Sequence, residues 1–432
     1  MSEEWDVIVC GGGTAGATAA IKAGRLGAKT LVIDRYGGLG GTETHGWVTP
    51  LMPNFIGPHK LSRGLNLDIL AEQFTVQPFA PEVEHGDSWY DPTALALVLD
   101  RLAEAAGVTC LFDACLVGAK REGRRLAAVE AATRGGTLSL KGKSFVDCTG
   151  DAELMGGNDD GVHQPMTLRF AMGNVDFGRL RGFAKPYLLW NTEHFIECGY
   201  SEAKKSPIAE LVATAVKDGV LEEDDLGYFQ FFTMNGRPRE LAFNAPRVAD
   251  LDPLDPFALS RGYQVGRRKI FRISEFMRRY WAGCEEAYVS VVAPMMGIRE
   301  SRRVVGEYVL TEDDHQACRK FDDVVARNRY PVDIHLKSGT DYRKFPPGEW
   351  HDVPYRSLVV KGFDNFWVAG RCLSATFVAQ SSVRIQPVCR ATGEAAGASA
   401  ALAVRLDCTA QALPYRVLSE VLDLAVPPGA GA

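Results

Sequence analysis

The pattern of apolar and polar residues at the start of the chain predicts a strand, a helix and a second strand in close succession. Residues 6–10 form a short apolar run that is typical of a buried strand, and residues 28–33 form a second such run. Between them, residues 17–26 predict a helix with small side chains on the side that would meet a sheet. A glycine-rich segment, residues 11–16, leads directly from the first strand into this helix. This order of elements is that of a nucleotide-binding βαβ unit.

The glycine-rich segment has the spacing G-x-G-x-x-G, with glycines at positions 11, 13 and 16. Gly11 permits a tight turn out of the strand, Gly13 lets the backbone approach a pyrophosphate, and Gly16 lets the helix pack closely on the sheet. The start of the helix offers free N–H groups and a positive dipole end to the phosphates. Asp34 ends the second strand, where an acid accepts hydrogen bonds from ribose hydroxyls. An acid there favours an unphosphorylated ribose, as in FAD or NAD.

Composition and charge narrow the class of protein. Of the 432 residues, 46% are hydrophobic and 24% are charged, as in ordinary soluble globular proteins. The formal net charge of −6 argues against nucleic acid as the main partner. No apolar run approaches the roughly 18 residues of a membrane helix, so we expect no membrane association. The ten cysteines include no C-x-x-C pair, which argues against a metal site and favours a reducing cytoplasm.

Six segments, taken in order, resemble one family across nearly the whole chain. They are G-G-G-T-A-G at 11–16, G-G-T at 40–42, V-D-C-T-G-D at 146–151, G-I-R-E-S-R-R at 297–303, A-G-R-C-L-S-A-T at 369–376 and S-V-R-I-Q-P-V-C-R-A-T-G-E-A-A-G at 382–397. With these motifs the chain resembles the FAD-dependent oxidoreductase family of the glutathione-reductase-like flavoproteins, near the fumarate-reductase-type members. The resemblance implies bound FAD and an α/β fold, in which a Rossmann-like FAD-binding domain carries an inserted α+β substrate domain.

The element pattern and the resemblance together predict how the chain divides into domains. Residues 1–165 and 351–410 would form the discontinuous FAD-binding domain, 166–350 the substrate domain, and 411–432 a C-terminal helix and flexible tail. Helices are predicted at 92–106, 206–218, 265–282 and 385–404, and short strands at 108–146. No second G-x-G-x-x-G follows a strand, so we expect no separate NAD domain.

The resemblance also implies which residues contact FAD. Gly11, Gly13 and Gly16 would hold the pyrophosphate and Asp34 the adenosine ribose, while the backbone of Val117 would contact the adenine. Further implied contacts come from the helix start, the second glycine cluster and the segments that pass close to the dinucleotide: Ala15, Arg35, Gly41, Thr42, Thr149, Gly150, Gly370 and Arg371. The helix at 385–404 would direct its N-terminus at the flavin, where its dipole stabilises charge on the reduced ring.

Four residues are candidates for catalysis, each with a structural alternative. His45 follows the second glycine cluster and is either a base, a covalent flavin attachment point or a histidine that only packs. His335, in P-V-D-I-H, either faces the active site or is a satisfied buried histidine. Arg299 is a candidate to clamp a carboxylate or an oxyanion, with an interdomain salt bridge as the alternative, and Arg384 is a candidate ligand of the substrate or of the flavin. His351 is a further candidate of the same kind as His335.

The predicted activity is hydride transfer between a small organic substrate and flavin N5. In the oxidative direction, as in a dehydrogenase or oxidase, a base takes a proton from an alcohol or amine, and the electrons pass to oxygen, a quinone or another acceptor. A reductase of an activated C=C bond, a monooxygenase and a flavoprotein that binds RNA or protein are the alternatives. A homo-oligomer is compatible with the sequence, which does not identify the substrate.

Overall fold

The computed structural model describes residues 4–77, 89–193, 195–336 and 339–424. The strands up to residue 147 are β1 (Glu4–Cys10), β2 (Thr30–Ile33), β3 (Phe55–Ile56), β4 (His59–Lys60), β5 (Thr109–Leu111), β6 (Cys115–Glu122), β7 (Arg125–Thr133) and β8 (Gly136–Asp147). The next strands are β9 (Met166–Thr167), β10 (Phe170–Gly173), β11 (Trp190–Asn191), β12 (Ile196–Tyr200), β13 (Phe229–Thr233), β14 (Leu241–Phe243), β15 (Arg247–Val248) and β16 (Tyr288–Val292). The last strands are β17 (Val324–Asn328), β18 (Val332–His335), β19 (Thr340–Arg343), β20 (His351–Pro354) and β21 (Phe366–Val368).

In the described part of the chain, seven helices lie between these strands, and three follow β21. They are α1 (Thr14–Arg25), α2 (Leu65–Val76), α3 (Pro92–Ala105), α4 (Phe177–Ala184), α5 (Ala209–Lys217), α6 (Pro256–Tyr280), α7 (Glu312–Gln316), α8 (Phe377–Val383), α9 (Gln386–Leu406) and α10 (Tyr415–Ser419). No helix among the described residues has the length and apolarity needed to cross a membrane.

The first sheet has a parallel centre. Its strand order is β5-β2-β1-β8-β7-β6, and β21 also pairs with β8. β1 is parallel to both β2 and β8, and β21 is parallel to the C-terminal part of β8. β6 and β7 complete the sheet as an antiparallel hairpin. The fold is therefore α/β with a Rossmann-like core, which confirms the prediction.

The apolar run in β1 is explained by burial on both faces of the sheet. Val7 and Val9 belong to a core that includes α1 and α9, whereas Ile8 and Cys10 belong to the core on the opposite face. All four residues are fully buried. A strand of a parallel sheet that is covered on both faces carries apolar residues at every position, because each face packs against another layer.

The second sheet is antiparallel and has a core of its own. Its strand order is β11-β12-β13-β14-β10-β16. The core is aromatic: Phe170 stacks on Phe243 at 4.4 Å between ring centroids, and Phe231 and Trp281 lie in the same cluster. These aromatic residues are therefore core rather than a ligand-binding surface.

The local signals at helix starts explain where the helices begin. Asp91 caps α3 by accepting a hydrogen bond from the Thr93 N–H, with Pro92 in the first turn. Asp255 caps α6 in the same way. The predicted start at 265 is wrong, because α6 begins at Pro256. Its first part buries small residues rather than an apolar stripe, so the helical pattern is weak there.

The predicted domain boundaries stay a prediction. Leu310, Val325 and Tyr330 fall within the predicted substrate domain, yet their side chains pack in the core that contains β1 and α1. Residues 425–432, which include the predicted flexible tail, lie outside the described residues.

Candidate functional site

A cavity of about 1000 Å³ lies where the C-terminal ends of the parallel strands face the second sheet. One side is formed by Gly13, Thr42 and Gly370, which follow or adjoin β1 and β21. The other side includes Arg299 and His335. Ligands of open α/β sheets bind at the carboxyl ends of the strands, so this is the expected place for a cofactor.

The first glycine loop is shaped by close approaches that exclude a side chain. Gly11 has a φ of +91°, and a Cβ atom on Gly16 would lie 1.7 Å from the Gly11 carbonyl oxygen. At Gly13, by contrast, a Cβ atom would meet nothing nearer than the Gly41 Cα at 4.0 Å. The loop therefore leaves a space beside Gly13 that opens into the cavity, as a dinucleotide pyrophosphate requires.

Asp34 holds the first glycine loop in place from the end of β2. Its Oδ2 accepts a hydrogen bond of 2.6 Å from the Gly12 N–H, and its Oδ1 accepts one of 2.7 Å from the Tyr36 N–H. Burial raises the pKa of Asp34, and these two hydrogen bonds act in the opposite direction. A carboxylate oxygen has a second lone pair, so Asp34 keeps acceptor capacity for ribose hydroxyls.

The second glycine cluster is tied to the first by backbone and side chain. The Gly40 N–H donates to the Gly12 carbonyl at 2.9 Å, and the Thr14 and Thr42 hydroxyls lie 3.3 Å apart. Glu43 then forms a fully buried ion pair of 3.0 Å with Arg390 of α9. The two loops and α9 thus form one rigid wall of the cavity, with Gly41, Thr42 and Gln386 lining it.

Most of the other predicted FAD contacts lie along the same wall. The cavity is lined by Ala15, Thr149, Gly150, Gly370 and Arg371, together with the start of α9. The other predicted contacts are outside the lining: the pyrophosphate glycines Gly11 and Gly16, together with Asp34, Arg35 and Val117. These glycines, threonines and helix ends fit a dinucleotide cofactor.

Two of the residues outside the cavity lining, Arg35 and Val117, have exposed side chains. Arg35 is ion-paired with Glu153. The Val117 side chain is exposed in β6, at a point where the pairing with β7 shifts register. A backbone contact to adenine, as predicted for Val117, stays a prediction.

Three of the four catalytic candidates come together on the opposite wall. Arg299, His335 and Arg384 line the cavity around Asp333, which lies two residues before His335 on β18 and therefore on the same face of the strand. The His335 Nε2 lies 3.3 Å from the Asp333 carboxylate, and an Arg384 guanidinium nitrogen lies 3.7 Å from it. Arg299 is anchored by hydrogen bonds to the Pro165 carbonyl and to the Thr167 hydroxyl.

The tautomer of His335 follows from its two partners. Its Nδ1 lies 2.6 Å from a guanidinium nitrogen of Arg247, which can only donate, so Nδ1 accepts and Nε2–H donates to Asp333. Burial and the charge of Arg299 lower the pKa of His335 to about 3. The His335 hydrogen bond and the charges of Arg384 and Arg299 outweigh burial and hold the pKa of Asp333 well below its usual range. At neutral pH the His335 imidazole is therefore neutral, and the Asp333 carboxylate beside it is ionised.

His45 does not line this cavity, although the sequence places it next to the flavin side. Its ring stacks on Tyr36 at 5.0 Å between centroids, and its Nε2 lies 3.1 Å from the Gly38 carbonyl. A short 3-10 turn at Gly41–Glu43 turns the chain so that Gly41 and Thr42 face the cavity while the His45 ring packs on the preceding loop. This is the position expected of a histidine that only packs, and a role as a base has no geometric support.

Sequence reasoning missed several residues of the arginine-rich wall. Arg169, Tyr228 and Asp333 line the cavity, and Arg247 lies behind His335. Arg169 stands between the apolar residues Leu168 and Phe170, and a basic residue inside an apolar run is a signal for a buried charge. Asp333 was visible within the P-V-D-I-H segment, but nothing in the sequence indicated its contact with Arg384.

His351 is buried away from the cavity. Its Nδ1–H donates to the Asp352 carbonyl and its Nε2 accepts from the Asn328 amide, both at 3.0 Å. Burial and the nearby His315 lower the pKa of His351 to about 3. The unfolded chain therefore binds this proton below about pH 6.5 while the folded protein does not, and stability falls as the pH drops towards about 3.

A His351→Gln variant tests this pH dependence. We expect the difference in unfolding free energy between wild type and variant to shrink as the pH falls below about 6.5, with a slope that approaches about 1.4 kcal/mol per pH unit near pH 5. Urea unfolding of the holoenzyme at several pH values measures it. His59→Gln, at a partly exposed histidine of β4, is the control. An unchanged difference for His351→Gln across this range would show that the buried imidazole does not control acid stability.

The fold and the cavity define a dinucleotide-binding enzyme of the Rossmann type, with a glycine cradle on one wall and charged side chains on the other. The sequence model of the family described as FAD dependent oxidoreductase matches residues 6–422. The chain therefore belongs to this family, and its cofactor is FAD.

The chain is also similar to one protein over a short segment, and to solved structures at low sequence identity. A 41-residue stretch is 56% identical to dihydrolipoyl dehydrogenase 1, mitochondrial, from Arabidopsis thaliana, and covers 10% of this chain but only 8% of that protein. A geranylgeranyl bacteriochlorophyll reductase-like protein from Thermoplasma acidophilum is 13% identical with a TM-score of 0.45, over 98% of this chain and 83% of that one. The p-nitrophenol 4-monooxygenase PnpA from Pseudomonas putida DLL-E4 is 11% identical with a TM-score of 0.47, over 98% and 84% of the two chains.

Proposed function

We propose that this FAD-dependent oxidoreductase oxidises a small organic substrate at an alcohol or amine carbon, as a dehydrogenase or oxidase. The observation that supports the proposal is a single cavity with two unlike walls. Gly13, Thr42 and Gly370 line the wall suited to the cofactor, and His335 and Asp333 line the other. A substrate between the walls would be within reach of both.

The residues of the wall suited to the cofactor would bind and orient FAD. The glycines at 11, 13 and 16 would hold the pyrophosphate, Asp34 the ribose, and Gly370 with the start of α9 the flavin end. FAD, when bound, supplies the acceptor for the hydride. Residues 166–350 would contribute the substrate side, and the electrons would leave to oxygen, a quinone or another acceptor.

Oxidation of an alcohol or amine also releases a proton, and His335 is our candidate to accept it. The imidazole is neutral at physiological pH because burial and Arg299 lower its pKa to about 3. Asp333 fixes the ring so that Nδ1 is the accepting nitrogen. The substrate proton would replace the hydrogen bond from Arg247 at this atom, and the Asp333 carboxylate would offset part of the cost that burial and Arg299 impose on the resulting imidazolium.

One observation favours reduction of an activated C=C bond as a second candidate. Burial, with the charges of Arg384 and Arg247, lowers the pKa of Arg299 to about 9. A guanidinium with a lowered pKa is a better proton donor than a free one, and a reductase needs a proton donor at the substrate carbon. In this reductive direction, an external donor would supply the electrons, and the substrate would receive them.

Anaerobic mixing of the yellow holoenzyme with possible reductants distinguishes these activities. We expect loss of the visible flavin band on mixing with members of a panel of alcohols and amines, and no rapid loss with NADH or NADPH. Rapid bleaching by a nicotinamide with no response to the panel would contradict the proposal and favour a reductase or monooxygenase.

A further inference from the structure

Four arginines from distant parts of the chain meet beside the cavity. Arg169 precedes β10, Arg247 begins β15, Arg299 follows β16 and Arg384 ends α8. Arg169, Arg299 and Arg384 line the cavity, and Arg247 contacts His335 at its edge. The Arg169 and Arg247 residues are each only 6% exposed. Burying several like charges together is costly unless counter-charges accompany them.

Within the described ranges of the chain, the acidic side chains near these arginines supply too little negative charge to balance them. Asp333 is the carboxylate that contacts the cluster. Glu197 also lines the cavity, but Gln230 donates a hydrogen bond to it at 2.7 Å and burial raises its pKa. A further arginine of the lining, Arg371, is already paired with Asp151 at 2.7 Å.

Several donors of the cluster also lack partners among the described residues. The Nε atoms of Arg247 and Arg384 are buried without a hydrogen-bond acceptor. Among the described residues, the guanidinium group of Arg169 makes one hydrogen bond, a long one of 3.4 Å to the Trp47 carbonyl. Buried polar groups are nearly always hydrogen-bonded, so unused guanidinium donors beside a cavity indicate a missing acceptor.

We propose that these four arginines form a binding subsite for an oxyanion group of the substrate, a carboxylate or a phosphate. Guanidinium groups match such oxygens with paired N–H donors. The anion would supply both the charge and the acceptors that the cluster lacks. This inference narrows the substrate class of the proposed function, on which it rests, to alcohols or amines that carry a negatively charged group.

Titration of the oxidised holoenzyme with small anions tests the subsite without turnover. The probes are malonate, inorganic phosphate and the neutral malonamide, followed by the shift of the visible flavin spectrum and by calorimetry. We expect saturable binding of at least one anion and no binding of malonamide. Comparison of malonate with phosphate identifies the oxyanion that the subsite prefers.

Variants locate the bound anion. Arg299→Met should weaken anion binding by about tenfold or more, because it removes a charged donor from the cluster. Arg299→Lys, which keeps the charge but loses the planar fork, should fall between wild type and Arg299→Met. Arg268→Met, at an exposed arginine of α6, is the control and should bind as the wild type does. FAD content and thermal unfolding verify that each variant is folded.

The result that would overturn the subsite is equal binding of malonate, phosphate and malonamide, or equal weakening by Arg299→Met and Arg268→Met. Failure of the subsite is distinguishable from failure of the proposed function. Anion binding with no bleaching by any alcohol or amine would contradict the oxidation while supporting the subsite. Bleaching by uncharged alcohols without anion binding would support the oxidation while contradicting the subsite.

Discussion

Gly16→Val is expected to abolish FAD binding. A Cβ atom at this position would lie 1.7 Å from the Gly11 carbonyl oxygen and 3.1 Å from the Cys148 side chain. The start of α1 would have to move away from β1, which would displace the N–H groups that face the cofactor. We expect the FAD content of the purified variant to fall to about a tenth of the wild-type value or less. The ratio of flavin to protein absorbance measures this.

Gly37→Ala is the matched control for this effect. Gly37 lies in the same N-terminal region, and a Cβ atom there would meet nothing within 4 Å. The control should therefore keep its FAD. A Gly16→Val protein that retains full FAD content would contradict the placement of the pyrophosphate at this loop.

Asp333→Ala is expected to cause the largest loss of stability among substitutions in the cavity wall. Asp333 contacts Arg384 and His335, and its charge also acts on Arg299. Removing one partner of a buried ionic group leaves uncompensated charge, which costs about 3–5 kcal/mol. Urea unfolding of the holoenzyme should show a loss of this order, whereas Asp100→Ala, at an exposed acid of α3, should have little effect.

A second substitution separates lost charge balance from lost packing. Arg299→Met in the Asp333→Ala background removes one of the uncompensated charges and should restore part of the lost stability. Asp333→Ala with a stability close to that of Asp100→Ala would contradict the electrostatic account. The account would also be contradicted if the double variant lost more unfolding free energy than the sum of the losses of the two single variants.

The parallel half of the fold could be predicted because its signals are local. The apolar run of β1, the glycines at 11–16 and the acid at 34 lie within one βαβ unit, and each has a steric or electrostatic cause. The buried strand β1, the start of α3 at Pro92 and the helix at 385–404 were predicted for the same reason.

The charged wall of the cavity could be predicted only in part, because it is assembled by long-range contacts. Arg169 and Arg384 are separated by about half of the chain, and only tertiary folding brings them to one cavity. Arg299 and His335 were identified from motifs, but their shared carboxylate, Asp333, was not. His45 shows that a residue close in sequence to cavity-lining residues need not line the cavity, since Gly41 and Thr42 face the cavity while the His45 ring stacks on Tyr36. Sequence position alone does not give the direction of a side chain.

A crystal structure of the oxidised holoenzyme tests the central claim most directly, because the account depends on cofactor and charged wall sharing one cavity. We expect the FAD pyrophosphate along Gly13 and the flavin ring in the cavity that Thr42 and Gly370 line, with Arg299 and His335 open to the same space. A flavin ring outside this cavity, or a chain segment that separates it from Arg299 and His335, would contradict the account.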